Sequence, residues 1–163
     1  MQDEVDACSV KSDYDMISDI FNFQQLMAHE RFSMKIYKNA TYKGLLNLNN
    51  ERDGQGVYIQ ENGMVYEGHW KEDKRNGEGY QTFKNGNTYR GQFLNNKPHG
   101  KGVYTWLNGE IYDGDFISGS KNGYGVWRGV KGDFYKGDWC DNKCWGYGEN
   151  EWINGDRYEG EYV

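Results

Sequence analysis

The side chains in this 163-residue chain best suited to chemistry are three histidines, His29, His69 and His99, and three cysteines, Cys8, Cys140 and Cys144. A structural zinc ion takes four cysteine or histidine ligands, usually supplied as two close pairs. Cys140 and Cys144 form one such pair in CDNKC, and no second pair stands at a suitable spacing. For this pair a reversible disulfide across the turn ranks ahead of a metal site, and no metal is expected. The histidines are scattered. His69 falls on a strand and His99 at a hairpin tip, where both are expected to be solvated. Gly-x-Gly begins at Gly54, Gly77, Gly100, Gly123 and Gly146, but none opens the strand–loop–helix unit that a dinucleotide fingerprint requires. There is no glycine-rich phosphate loop and no serine elbow. The expected protein is non-enzymatic and carries no cofactor.

The glycines and rings therefore need a structural reason. The chain holds 23 Gly, 14 Tyr, 6 Trp and 7 Phe with one Pro, and its mean hydropathy is −1.03. Aliphatic residues are too few for an ordinary globular core, so a thin sheet built on rings and glycines is expected. The stretch Gly77–Phe93, GEGYQTFKNGNTYRGQF, shows how. It reads as two short strands joined at Asn85-Gly86, a pair suited to a type I′ hairpin turn. Gly77, Gly79, Gln81 and Phe83 share one side of the first strand, and Tyr89, Gly91 and Phe93 one side of the second. Glycine weakens a strand, so its recurrence at alternate positions points to clearance for a neighbouring ring.

The same unit recurs along the chain. Tyr-x-Gly stands at Tyr42, Tyr66, Tyr89, Tyr112, Tyr135 and Tyr158, and Gly-x-Gly returns every 23 residues. Two places after each Tyr-x-Gly glycine comes an aromatic, at Trp70, Phe93, Phe116, Trp139 and Tyr162, with Leu46 the exception. Asn-Gly pairs recur at 62–63, 85–86, 108–109 and 154–155, while Lys131-Gly132 fills the fourth place. Fixed self-similarity of this kind is the mark of a repeat architecture.

This pattern resembles the MORN (membrane occupation and recognition nexus) repeat over about residues 32–163, with five full units and a sixth begun at Tyr158. The resemblance implies an all-β fold: 23-residue β-hairpins stacked into a single-layer, twisted antiparallel sheet. Gly129 stands where other repeats have Phe83, Trp106 and Trp152, so the fourth repeat is expected to be the least tightly packed.

Residues 1–31 form an acidic N-terminal segment with seven acids against two bases; the other 132 residues carry 18 acids and 17 bases. Within that segment Met16, Ile20, Phe23 and Met27 follow helical spacing behind a Ser12 cap, which predicts an amphipathic helix over about 12–30. Its apolar face is expected to cover one end or face of the sheet, the alternative being an acidic helix offered to a partner protein. Arg31–Lys38 reads as the second strand of an incomplete leading repeat. No run of about 18 apolar residues exists, the N-terminus has no secretory h-region, and three cysteines without a signal suggest reduced thiols in the cytoplasm. The charge balance lacks the basic footprint of a nucleic-acid binder.

Two functions are compatible with these features. In the first, one sheet face presents Tyr66, Trp70, Phe83, Tyr89, Phe93, Trp106, Tyr112, Phe116, Tyr135, Trp139 and Trp152 to a helical or extended segment of another protein. The tyrosines are then mainly structural, and the Trp and Phe places more available. The open last strand allows end-to-end self-association, or a longer array in a larger complex. The second reading is anionic phospholipid binding by Lys74, Lys97, Lys121 and Lys143 at successive hairpin tips, with Arg75 beside the first. Glu72, Asp73 and Asp141 lie among them, so any membrane contact should be weak. By resemblance, scaffolds of this kind serve cytoskeletal or ciliary assemblies.

Overall fold

Two kinds of turn, at opposite edges, fold each repeat. The computed structural model describes residues 21–163. In the Phe83–Asn87 turn the Gly86 N–H donates to the Phe83 carbonyl and the Phe83 N–H to that of Asn87, both at 2.9 Å. Only Gly86 has a left-handed backbone there (φ 84°). The expected type I′ turn at Asn85-Gly86 is thereby corrected. Asn85 stays right-handed because its side-chain oxygen accepts from the Asn87 N–H, an Asx turn that needs only the glycine left-handed.

Paired left-handed residues occur instead at the other edge, at Glu72-Asp73, Asn95-Asn96, Ser118-Gly119 and Asp141-Asn142. Asp and Asn tolerate that conformation better than most residues, and here they also tie repeats together. The Oδ1 atoms of Asp73, Asn96 and Asn142 accept from the backbone N–H of Arg52, Arg75 and Lys121. Their own N–H groups donate back to the carbonyls of the same three residues.

Twelve strands result: β1 (Phe32–Tyr37), β2 (Ala40–Leu46), β3 (Arg52–Gln60), β4 (Val65–Lys71), β5 (Lys74–Thr82), β6 (Thr88–Leu94), β7 (Lys97–Thr105), β8 (Ile111–Ile117), β9 (Ser120–Arg128), β10 (Phe134–Cys140), β11 (Lys143–Glu151) and β12 (Arg157–Tyr162). They lie in chain order in one antiparallel sheet. Gly-x-Gly strands are two residues longer than Tyr-x-Gly strands because of a bulge. Between β4 and β5, for example, the register jumps from Gly68↔Gly79 to Trp70↔Arg75. Asn76–Glu78 thus face His69 alone, which bends the strand and frees a backbone carbonyl from the ladder.

The described part of the N-terminal segment holds only α1 (Phe23–Met27), capped by the side chain of Asn22. Ser12, Met16 and Ile20 lie outside the described residues. Phe21, Phe23 and Leu26 pack on Leu45 and Val57, so this segment covers the back face of the sheet at its first strands. Met27 is a correction to the apolar stripe: it is exposed, because so short a helix turns only one narrow side to the sheet. β1 pairs with β2 as the leading strand expected from Arg31–Lys38. No helix among the described residues is long and apolar enough to cross a membrane.

Candidate functional site

The front face of the sheet carries two tiers of rings. The lower tier is a column. Tyr42, Tyr66, Tyr89 and Tyr112 are fully buried, and Tyr135, Trp70, Phe93, Phe116 and Trp139 nearly so. Tyr66, Tyr89 and Tyr112 each meet a Trp or Phe of their own strand edge-on and another from the next repeat, while Tyr42 has Trp70 of the next repeat and Tyr135 has Trp139 and Tyr162. Tyr89 has Phe93 and Phe116 both at 5.1 Å, interplanar angles 89° and 85°. This T-shaped geometry sets positive ring edge against negative ring face, giving about 0.5–1.5 kcal/mol per pair beyond burial.

The glycines make the column possible. A Cβ on Gly102 would lie 2.4 Å from the Tyr89 hydroxyl oxygen and 2.6 Å from its ring carbons; the same holds for Gly56 under Tyr42, Gly79 under Tyr66, Gly125 under Tyr112 and Gly148 under Tyr135. The hydroxyl at the end of each ring donates to the carbonyl three residues on, Tyr89 to Gln92 and Tyr112 to Asp115 for instance. Those carbonyls sit at the bulge, where the ladder leaves an acceptor without a strand partner. That is why the motif needs tyrosine and not phenylalanine.

Burial therefore corrects the expectation that Trp and Phe are the available places: Trp70, Phe93, Phe116 and Trp139 are as structural as the tyrosines beside them. The Trp70 and Trp139 indoles donate to the carbonyls of Gly56 and Gly125. Of the eleven rings read from the sequence, only Phe83, Trp106 and Trp152 have surface to offer; the first two are half-buried and Trp152 is 47% exposed. The upper tier also contains residues that the sequence reading passed over. Tyr58, Tyr104 and Trp127, all half-buried, pair across the front face with column tyrosines. Tyr104 meets Trp106 at 4.7 Å and Phe83 at 5.6 Å. The missed signal was the 23-residue series Tyr58, Gln81, Tyr104, Trp127, Asn150. Beside this tier the turn residues Leu107, Val130 and Ile153 form an exposed aliphatic row along one edge.

Cations lie on the same face. Arg52 covers Trp70 at 4.2 Å and pairs with Asp73; Arg75 sits 5.6 Å from both Tyr66 and Phe93; Lys121 sits 4.0 Å from Trp139. This overturns the proposed column of tip lysines. Lys74, Lys97 and Lys143 are exposed at the tips, but the residue equivalent to them is Ser120, since Ile117 pairs with Ser120 as Lys71 pairs with Lys74. Lys121 and Arg75 point instead onto the rings, where burial lowers both pKa values.

The other candidates for chemistry stay apart. Cys144 is opposite Trp139 on the front face, whereas Cys140 pairs with Lys143 and projects from the back. No disulfide joins them, because adjacent strand positions point to opposite faces, and both thiols are free. Burial against Tyr135 and Trp139 raises the Cys144 thiol. His69 sits half-buried on the back face with Nδ1 3.2 Å from the Glu78 carbonyl, and His99 lies within β7 and not at a tip. No group of three His, Cys, Asp or Glu among the described residues is placed to hold a metal.

In the fourth repeat the Gly129–Asp133 turn keeps the common geometry, with Gly132 left-handed at 98°, but Lys131 cannot supply the Asx bond. The column nevertheless runs through it unbroken, Tyr112–Trp139 and Tyr135–Trp139 both at 5.1 Å.

Alkaline titration follows from the column. Burial pushes the hydroxyls of Tyr42, Tyr66, Tyr89, Tyr112 and Tyr135 far above the ordinary tyrosine range. Above about pH 10 the unfolded chain sheds these protons while the folded chain keeps them, so stability is level below that pH and falls as pH rises past it. Tyrosinate absorbance should rise in two stages, the second coinciding with loss of the circular dichroism of the sheet. One step near pH 10 with the sheet intact would contradict the buried column.

A search of curated proteins finds no match. Among solved structures, the TCP domain of Drosophila melanogaster SAS-4 (dCPAP), in complex with a proline-rich motif of Ana2 (dSTIL), is 17% identical, with 81% of this chain and 73% of that one covered at a TM-score of 0.48. A likeness of that order bears on neither fold nor function here. The MORN repeat model is another matter. It matches five consecutive stretches, residues 48–65, 66–88, 89–111, 112–134 and 135–157, in register with the tyrosine column. The matches run over two thirds of the sequence without a gap, and the chain belongs to the MORN repeat family.

Proposed function

We propose that this chain is a non-enzymatic protein-binding scaffold, an adaptor subunit that grips a segment of a partner along its front face. The observation that carries the reading is the upper tier: Tyr58, Phe83, Tyr104, Trp106, Trp127 and Trp152 keep surface toward solvent while standing on a rigid, fully packed column. Rings held in place lose little entropy on binding and offer large contact area, which is why interfaces favour them. On family analogy the setting we infer is a cytoskeletal or ciliary assembly in the cytoplasm. The lipid alternative is weakened at its own residues. With Arg75 and Lys121 turned onto the rings, only Lys74, Lys97 and Lys143 remain at the tips, beside the exposed acids Glu72, Asp73 and Asp141.

The test is affinity capture of partners by the intact chain and by the Trp106→Ala/Trp152→Ala variant, each also melted. The variant should keep its melting temperature within a few degrees, since both rings lie outside the column, and should lose its partners. Unchanged capture would overturn the reading. So would strong, salt-sensitive pelleting with phosphoinositide-containing vesicles.

A further inference from the structure

Two of the pockets on the front face are built on five equivalent positions, the first having Arg52, Met64 and Tyr66 in addition. One, of about 210 Å³, is lined by Tyr58, Gln60, Trp70, Arg75 and Asn96 among others. The other, of about 230 Å³, is lined by Tyr104, Trp106, Phe116, Lys121 and Asn142. Each residue of the second set stands 46 positions, two repeats of 23, after its counterpart in the first. The repeat between has no such pocket lining: Gln81 replaces the tyrosine wall and Pro98 the cation.

Both cations are half-buried and lack an acidic partner. Arg75 donates to the Gln81 side chain and the Asn96 carbonyl, and no carboxylate among the described residues pairs with it or with Lys121. Glu110, whose charge acts on Lys121, is already engaged by Trp127 and Asn108. A carboxylate from outside would meet a positive charge already stripped of much of its water, with a ring wall for its methylene stem.

The distance between the pockets selects the backbone of the ligand. Tyr58 is on β3 and Tyr104 on β7, four strand spacings away, or about 19 Å. A polyproline II segment covers that span in about six residues, two full turns, and a fully extended segment also needs about six, an even number that restores the same side. An α-helix needs about 12.5 residues, three and a half turns, and so presents opposite sides to the two pockets. On the reading of the front face as a partner surface, we propose that the paired pockets take two acidic side chains spaced six residues apart on an extended, non-helical segment of a partner protein, one carboxylate at Arg75 and one at Lys121.

Polyproline peptides serve as rulers. Three fluorescein-labelled versions, carrying two glutamates six apart, two glutamates four apart, or two lysines six apart, are titrated against the full chain by fluorescence anisotropy. The six-spaced glutamate ruler should bind about tenfold more tightly than the four-spaced one, as expected when a second charged contact is gained, and the lysine ruler should not bind. Arg75→Gln/Lys121→Gln should abolish the preference; should that variant melt early, Lys121→Gln alone is used, since its side chain makes no hydrogen bond in the sheet. Equal binding of the two glutamate rulers, no binding of either, or a preference surviving in the variant would overturn the proposal. So would tighter binding of a helical peptide with its acids eleven apart, or capture of anionic vesicles through the same two cations. If the glutamate rulers bind alike and Trp106→Ala/Trp152→Ala abolishes both, the scaffold reading stands and this inference falls. If no ruler binds and that variant keeps its partners, both fall.

Discussion

Gly102→Val is expected to destabilise the sheet by about 3 kcal/mol or more, the upper part of the range for overpacking a rigid site. The first added carbon alone would stand 2.4 Å from the Tyr89 hydroxyl oxygen and 2.6 Å from two ring carbons. The ring cannot yield, because Phe93 and Phe116 hold it from both sides and its hydroxyl is tied to Gln92. Hairpins in such an array touch only their neighbours, so damage at β7 should separate the sheet into two blocks that melt independently. Calorimetry should show a broadened or doubled transition. Gly63→Asn is the control: Gly63 is left-handed with open space around it, and asparagine tolerates that backbone, so the cost should be about 0.5 kcal/mol or less. Equal melting of Gly102→Val and the parent would mean that the glycines do not serve the rings.

Tyr112→Ala should cost about 3–5 kcal/mol, the range for deleting a large buried ring. Tyr112 is fully buried in the middle of the column, edge-on to Phe116 at 5.2 Å and to Trp139 at 5.1 Å. Its removal would break the column between Phe116 and Trp139, at the junction of the fourth and fifth repeats. Tyr112→Phe keeps the ring and removes only the hydrogen bond to the Asp115 carbonyl, so it should cost about 1–2 kcal/mol. Urea midpoints would separate the two. A phenylalanine variant as unstable as the alanine one would place the weight on the hydroxyl; equal stability of all three would remove the column from the account.

Much of this was legible in the sequence because the period is strict. Tyr-x-Gly and Gly-x-Gly at 23 residues give the hairpins, their order and the clearance under each ring without reference to anything distant. What escaped was depth. Alternation says which face a residue takes but not how far the neighbouring repeat overlaps it, so Trp70 and Trp139 read as surface rings although the tyrosine of the preceding repeat, Tyr42 or Tyr112, closes over them. Tip geometry escaped for a similar reason. Asn-Gly suggested a type I′ turn, but the Asx bond of Asn85 holds that residue right-handed, and the left-handed pairs formed at Asn95-Asn96 and Asp141-Asn142 instead. Lys121 was counted with the tip lysines because it is near them in sequence; it lies one residue beyond the Ser120 position, and one residue in a strand is the difference between solvent and the rings. A disulfide between Cys140 and Cys144 was suggested only by the same nearness along the chain, which takes no account of face.

On the proposed reading two tiers of rings divide the labour, one for stability and one for partners. The six tryptophans report on it separately through their indole N–H resonances in a proton–nitrogen correlation spectrum, recorded as a captured partner segment is added to the full chain. The resonances of Trp106 and Trp127 should move, with Trp152 following if the segment reaches the last turn, while Trp70 and Trp139, their indoles bonded to Gly56 and Gly125, keep their slow exchange with solvent. Shifts confined to Trp145, or a loss of exchange protection at Trp70 and Trp139 on binding, would contradict it.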